Sequence, residues 1–479
     1  MTSSARMNEP HVTATDRTAA PALASRNAML AIAGLFALYM FGWATRWSFD
    51  PTREFGLGRD WFFTAQADAM LRGRLWVDPV ALSPGALIPD GNECFWIDGH
   101  CYGYWGLTPS LLRVPLLLLF GTFTASLANL MIPLAAGIAL FAALDLCRQQ
   151  TNQMTWTQAN VFMAIAAAAL GPGSVLVFLA DPYVYQEAII WSVALVLVAV
   201  DLFWRWSTGG PNHLLIGAAL ACIFAAGARP TTMFVGPILA VAVVLKLRSA
   251  VFARRLVLAS IAVLLVAPAF FAFGIYYAKF GQLSTPTEAY NNPTGTQMLT
   301  NFDICVAPVN SVAVENLPTN LFAYLRPDSV RVVVGESPVQ FRFTGCVPTP
   351  PTLVWPRNSL VGFYPEEHTS ISATMPLATC AVAFAAVTAI RRRRWNHLSL
   401  LAATGSSLAF VLLVPVLTAR YLADFYPMLV VGVASCAGFW SRARRRRTET
   451  WLVGAATASL VWSVITVASL FTRYAWLYF

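Results

Sequence analysis

The chain has 479 residues, of which 57% are hydrophobic and only 11% charged, with a mean hydropathy of +0.60. Soluble domains carry about 25% charged residues, so this composition leaves too few polar groups to clothe a water-exposed surface. The net charge of +9 is carried almost entirely by arginine. Its clusters, as at Arg391–Arg394 and Arg444–Arg447, stand between apolar runs. That is the pattern of cytoplasmic loops in membrane proteins. A nucleic-acid partner is therefore not expected; the lipid bilayer is.

Residues 1–26 are rich in Ala, Thr and Ser without periodicity and read as a disordered cytoplasmic tail. The first apolar run begins near Asn27, too late for a cleavable signal peptide. A spanning helix needs roughly 20 apolar residues. Candidate spans are 28–45, 124–146, 157–180, 183–204, 213–228, 230–245, 256–278, 371–390, 398–419, 425–440 and 451–471. The sequence thus predicts an all-α polytopic membrane protein of about eleven transmembrane helices. Its parts are an N-terminal membrane domain (27–278), an extracytoplasmic loop domain (279–370) and C-terminal membrane helices (371–479).

The stretch 213–245 admits one long helix or two short ones broken at Arg229-Pro230. Proline disfavours helical geometry in the residue before it, and an arginine at mid-bilayer is costly. Two helices also keep the basic segments after position 245 on the inner side. With the N-terminus inside, the long polar stretches 46–112 and 279–370 both fall outside. Within the first, 61–73 and 111–122 read as amphipathic helices lying at the outer interface. The second reads as a small mixed domain with short strands at Val330 to Val334 and Val339 to Thr344.

Cys94 and Cys101 share the first outer stretch, and Cys305 and Cys346 the second. Confinement of each pair to one outer stretch predicts two disulfides in an oxidising compartment. A zinc site is the competing reading, but neither pair has CxxC spacing.

The first outer loop reads Gly58-Arg59-Asp60-Trp61-Phe62-Phe63-Thr64 and later His100-Cys101-Tyr102-Gly103-Tyr104-Trp105-Gly106-Leu107-Thr108-Pro109 before Arg113. An acid soon after the first span, an aromatic-rich helix and a Tyr/Gly/Pro segment follow one another. Asp181-Pro182-Tyr183-Val184-Tyr185-Gln186-Glu187, Ala228-Arg229-Pro230-Thr231 and Arg420-Tyr421-Leu422-Ala423-Asp424 stand at later outer turns. This arrangement resembles membrane glycosyltransferases of the GT-C fold, in the superfamily of aminoarabinose and mannosyl transferases that use polyprenyl-phosphate sugars. The likeness spans most of the chain in topology and only short motifs in sequence. The acidic pair usual in the first loop is here Asp60-Trp61, which leaves a divalent metal possible but unassigned.

The resemblance implies transfer of a sugar, with inversion, from a polyprenyl-phosphate donor to a hydroxyl of a glycan or lipid acceptor. It implies a bacterial inner membrane enzyme with its active site facing the periplasm. A hydroxyl is a weak nucleophile and needs a base, for which Asp60 is the candidate; an Asp in this position also suits a helix N-cap. The leaving phosphate needs positive charge, and arginine forks match phosphate oxygens. Arg229 and Arg420, then Arg113, are the candidates; snorkelling to the interface is the plainer role for each. Glu187, Asp181, Tyr185, Tyr104 and Tyr421 are assigned to the acceptor and sugar site. A flippase or transporter, or a polymerase of lipid-linked sugars, is the alternative. Transporters show internal repeats and broken helices at mid-bilayer; here no repeat is visible and the acids stand at the outer edge.

Overall fold

A computed structural model describes residues 25–51, 61–78, 94–98, 100–103, 106–121, 127–181, 184–247, 255–283, 314–327, 329–333, 340–343, 369–413, 419–440 and 446–477. Its helices are α1 (Arg26–Ala44), α2 (Phe62–Leu71), α3 (Thr108–Leu111), α4 (Val114–Phe120), α5 (Ala128–Gln149), α6 (Trp156–Leu170), α7 (Val184–Ser207), α8 (His213–Ala228), α9 (Val235–Leu247) and α10 (Arg255–Phe280). They continue as α11 (Leu317–Leu325), α12 (Ile371–Thr374), α13 (Pro376–Arg391), α14 (Trp395–Val411), α15 (Tyr426–Trp440) and α16 (Arg446–Leu477). Among the described residues, five helical stretches are long and apolar enough to cross a bilayer, and several shorter apolar helices accompany them. The chain is a multi-pass membrane protein.

Local chemistry sets the helix ends. Thr155 and Gln158 form a reciprocal capping box at the start of α6. That helix stops at Gly171, so the predicted span 157–180 is a helix followed by a loop and a short 3-10 turn, Val175–Leu179. The predicted break at Arg229-Pro230 is present. Arg229 is extended (φ −146°, ψ 115°), as a residue before proline prefers. Between α8 and α9 lies a second 3-10 turn, Pro230–Phe234. A third, Ala419–Phe425, precedes α15.

Helix α7 is the centre of the bundle, packed against α5 on one side and α8 on the other; α1 packs on α5 and α10 on α8. Basic residues gather where α5, α7, α9 and α14 meet at one end. Arg148 and Arg205 both pair with Asp145 there. Lys246 donates to the Ser207 carbonyl and lies over the Trp206 ring, and Trp204 meets His397 edge-on. This is the end that positive-inside reasoning places in the cytoplasm.

The first outer loop departs from its expected form. Helix α2 is present, but it is packed into the protein and does not lie on a surface: Phe62, Phe63, Thr64, Gln66 and Ala67 are all buried. The two polar members of that face explain why. Gln66 accepts from Ser110 Oγ at 2.7 Å, and Thr64 accepts from Arg113 Nε at 3.2 Å, so the helix is held by partners inside the molecule. Helix α4 does expose an apolar face, Leu118, Leu119 and Phe120.

Strands β1 (Cys94–Ile97) and β2 (His100–Gly103) form an antiparallel hairpin that hydropathy did not mark. Its signal is Asp98-Gly99 between two short runs, a dipeptide suited to the positive φ of a tight hairpin turn; Asp98 has φ +51°. The expected strands of the second outer loop are found as β3 (Val330–Val333) and β4 (Gln340–Phe343), antiparallel with Val330 opposite Phe343.

Cys101 is fully buried and disulfide-bonded, but no complete disulfide pair lies among the described residues. The side chain of Cys94 and all of Cys305 and Cys346 lie outside them.

Candidate active site

The hairpin and the segment after it are stitched to the C-terminal ends of α8 and α10. Thr108 donates its hydroxyl to the Phe224 carbonyl at 2.7 Å, and Lys279 donates to the Gly103 carbonyl at 2.8 Å. Phe280 packs edge-on against Phe95 and Tyr102. Gly106 crosses the end of α8 so closely that a Cβ there would sit 1.7 Å from the Gly227 carbonyl oxygen. Only a residue without a side chain permits that crossing.

A cavity of about 380 Å³ lies between α7, α8, α10, α14 and the two 3-10 turns that carry Arg229's neighbours and Tyr421. Its wall is aromatic, with Tyr185, Phe234, Phe273, Tyr276, Phe410 and Tyr421. Among the described residues, Arg229 is the one charged residue lining it. Three residues singled out from sequence, Tyr185, Arg229 and Tyr421, therefore share one cavity although 236 positions separate the first from the last (421 less 185).

Arg229 is held in two ways. Its Nη1 donates to both carboxylate oxygens of Asp424 at 2.6 Å, and its guanidinium lies over the Tyr421 ring at 5.0 Å. Nη2 and Nε donate to nothing among the described residues, and the side chain is 13% exposed. The pair thus fixes the guanidinium while leaving one edge of the fork open beside the cavity. Asp424 is buried, and burial outweighs the adjacent guanidinium, pushing its carboxyl up to about 6. Arg420, four residues earlier on the same turn, lies over the Tyr185 ring at 4.1 Å. The two arginines thus each cover a tyrosine of the cavity wall.

Arg113 and Glu187 form a different kind of pair. Nη1 and Nη2 of Arg113 donate to Oε1 and Oε2 of Glu187 at 2.5 and 2.8 Å, with the side chains 0% and 1% exposed. Nη1 also reaches the Pro109 carbonyl at 3.0 Å, and Nε reaches Thr64. The Arg113 fork is thus engaged at Nε, Nη1 and Nη2 by partners inside the molecule, and both oxygens of Glu187 accept from it. The pair ties α2, α3 and α7 together.

Asp181 is buried just before α7 and does not line the cavity. Asp60 and Tyr104 lie outside the described residues. Among the described residues no three His, Cys, Asp or Glu side chains are grouped as metal ligands would be. Asp424 and Thr231, like the wall residues Phe234, Phe273, Tyr276 and Phe410, are residues of this site that carry no assignment from the sequence. Asp424 and Thr231 stand in the motifs beside Arg420 and Arg229, but nothing in spacing pairs position 229 with position 424.

No family model matches this chain, and no curated protein matches it. Among solved structures it is similar to the Archaeoglobus fulgidus oligosaccharyltransferase in its apo form, with a TM-score of 0.48, 12% identity and coverage of 93% of this chain and 56% of that one. It is also similar to the archaeal oligosaccharyltransferase AglB from Archaeoglobus fulgidus in complex with an inhibitory peptide and a dolichol-phosphate, with a TM-score of 0.44, 12% identity and coverage of 93% and 55%. The chain spans about half the length of these structures.

Proposed function

We propose that this chain is a membrane glycosyltransferase that moves a sugar from a polyprenyl-phosphate donor to a hydroxyl of a glycan or lipid acceptor at the outer face of the membrane. The observation that carries the reading is the open guanidinium edge of Arg229 beside an aromatic cavity at the outer helix ends. An aromatic wall suits an isoprenoid and a sugar ring, and an arginine fork suits the phosphate between them. The full topology is eleven spans with the N-terminus inside, in a bacterial inner membrane with the site facing the periplasm. The disulfides Cys94–Cys101 and Cys305–Cys346 belong to the same reading.

In the proposed reaction the acceptor oxygen attacks the anomeric carbon as the bond from that carbon to the phosphate oxygen breaks. One displacement inverts the centre. The acceptor proton goes to the Asp60 carboxylate, and the bonding electrons leave on the phosphate. Arg229, with Arg420 close by, stabilises the charge that gathers there. No general acid is needed, because the leaving group is a phosphate.

Purified protein in vesicles, given labelled polyprenyl-phosphate sugars, is expected to release polyprenyl phosphate as it glycosylates an acceptor. Asp60→Asn is expected to abolish transfer while the protein still inserts and binds donor. Transfer by that variant at near wild-type rate would remove Asp60 as the base.

A further inference from the structure

Thr231 stands two positions after Arg229, in the 3-10 turn that forms one wall of the cavity. It is 8% exposed, and its hydroxyl is buried without a hydrogen-bond partner among the described residues. Its neighbour makes the contrast clear: Thr232 donates its hydroxyl to the Arg229 carbonyl at 2.9 Å, the usual way for a threonine in a turn to satisfy itself. A buried hydroxyl left unpaired is unfavourable, and native structures rarely keep one without a use. Pro230 between the two residues restricts the backbone and keeps this spacing rigid.

We propose that Thr231 is a second ligand of the donor phosphate, donating its hydroxyl to one oxygen while the open edge of Arg229 engages others. The assignment rests on the reading of the cavity as the donor site, and it extends that reading from one residue to a two-point clamp. The clamp holds the phosphate against the Pro230–Phe234 turn, with the aromatic rings of α10 and α14 left for the apolar part of the lipid. Asp424 sets the direction of the clamp through Nη1 of Arg229.

The test uses full-length protein in nanodiscs and two probes of equal chain length, decaprenyl phosphate and uncharged decaprenol. Thr231→Val keeps the shape and removes the hydroxyl; Thr231→Ser keeps the hydroxyl. Wild-type protein and Thr231→Ser are expected to prefer the phosphate over the alcohol. Thr231→Val is expected to lose about tenfold of that preference, the worth of one hydrogen bond to a charged group. Its affinity for decaprenol should not change, which separates lost contact from lost fold. A full phosphate preference in Thr231→Val would overturn the clamp while leaving the donor site standing. No phosphate preference in the wild type would overturn the donor site itself. If Thr231→Val does not fold, Thr231→Ala carries the same comparison.

Discussion

The two ends of helix α7 carry similar residues put to different use. Near its C-terminus, Asp201 and Arg205 join Asp145, Arg148 and Gln149 of α5. Gln149 donates to Asp145 at 2.8 Å and to Asp201 at 2.6 Å; Arg205 pairs with both acids, and Arg148 takes the remaining oxygen of Asp145. All four carboxylate oxygens are engaged. Near its N-terminus, Glu187 is closed in the same manner by Arg113. Yet Tyr185, half a turn away, lines a cavity whose arginine keeps an open edge. About 24 Å of helix, at 1.5 Å per residue over the sixteen residues from Tyr185 to Asp201, separates an open arrangement from a closed network. Charge at a helix end does not by itself mark a site; what sets the proposed donor site apart is an unspent hydrogen-bonding edge beside a cavity.

The largest expected effect lies in the closed pair. Glu187→Ala leaves the Arg113 guanidinium buried without its counter-charge, at a cost of about 3–5 kcal/mol. Thermal unfolding in detergent should show a large fall in Tm. A stable Glu187→Ala protein that loses acceptor binding instead would place Glu187 in the acceptor site. Next is Arg229→Ala, made in an Asp424→Asn background so that no buried carboxylate is stranded, expected to weaken decaprenyl phosphate binding by 30- to 100-fold, about 2–3 kcal/mol, with little further change in Tm. Equal losses in binding and stability would make Arg229 as structural as Arg113.

At the C-terminal end of α7 the pattern should reverse. Arg205→Ala is expected to lower stability by about 2 kcal/mol and leave lipid-phosphate affinity unchanged. The smallest effect concerns Asp424. Its carboxyl is raised in the folded protein to about 6 from an ordinary 3.8. Between these values the folded state holds the proton more tightly than the unfolded chain. Stability should therefore decline as pH rises through this window and level off above it. Asp424→Asn should flatten that slope, read as Tm at pH 4.5 and pH 7; an unchanged slope would assign it to another group.

Much of this was legible in the sequence, for identifiable reasons. Apolar runs report helices because a bilayer demands length, and Arg229-Pro230 reports a break because proline restricts the residue before it. Tyr185, Arg229 and Tyr421 are each marked by their place at a predicted outer turn, and the fold brings the three to one cavity. What could not be read was which arginines are spent. Arg113 and Arg229 look alike as residues at outer turns; only the fold reveals that Glu187 closes around both ends of one fork while Asp424 takes a single nitrogen of the other. The burial of α2 was hidden for a related reason, because Thr64 and Gln66 look like a solvated face until Arg113 and Ser110 are seen opposite them.

The account rests on where a lipid phosphate binds. A second, apolar groove of about 270 Å³ lies between α6, α13, α15 and α16, lined by Phe162, Phe384, Trp440 and Leu460 among others. A polyprenyl phosphate carrying a diazirine in its first isoprene unit would report the choice directly, with labelled peptides read by mass spectrometry. Labelling of Phe273, Tyr276 or Phe410, lost in Arg229→Ala, is the predicted result. Labelling confined to the residues of the apolar groove, and indifferent to Arg229, would contradict it.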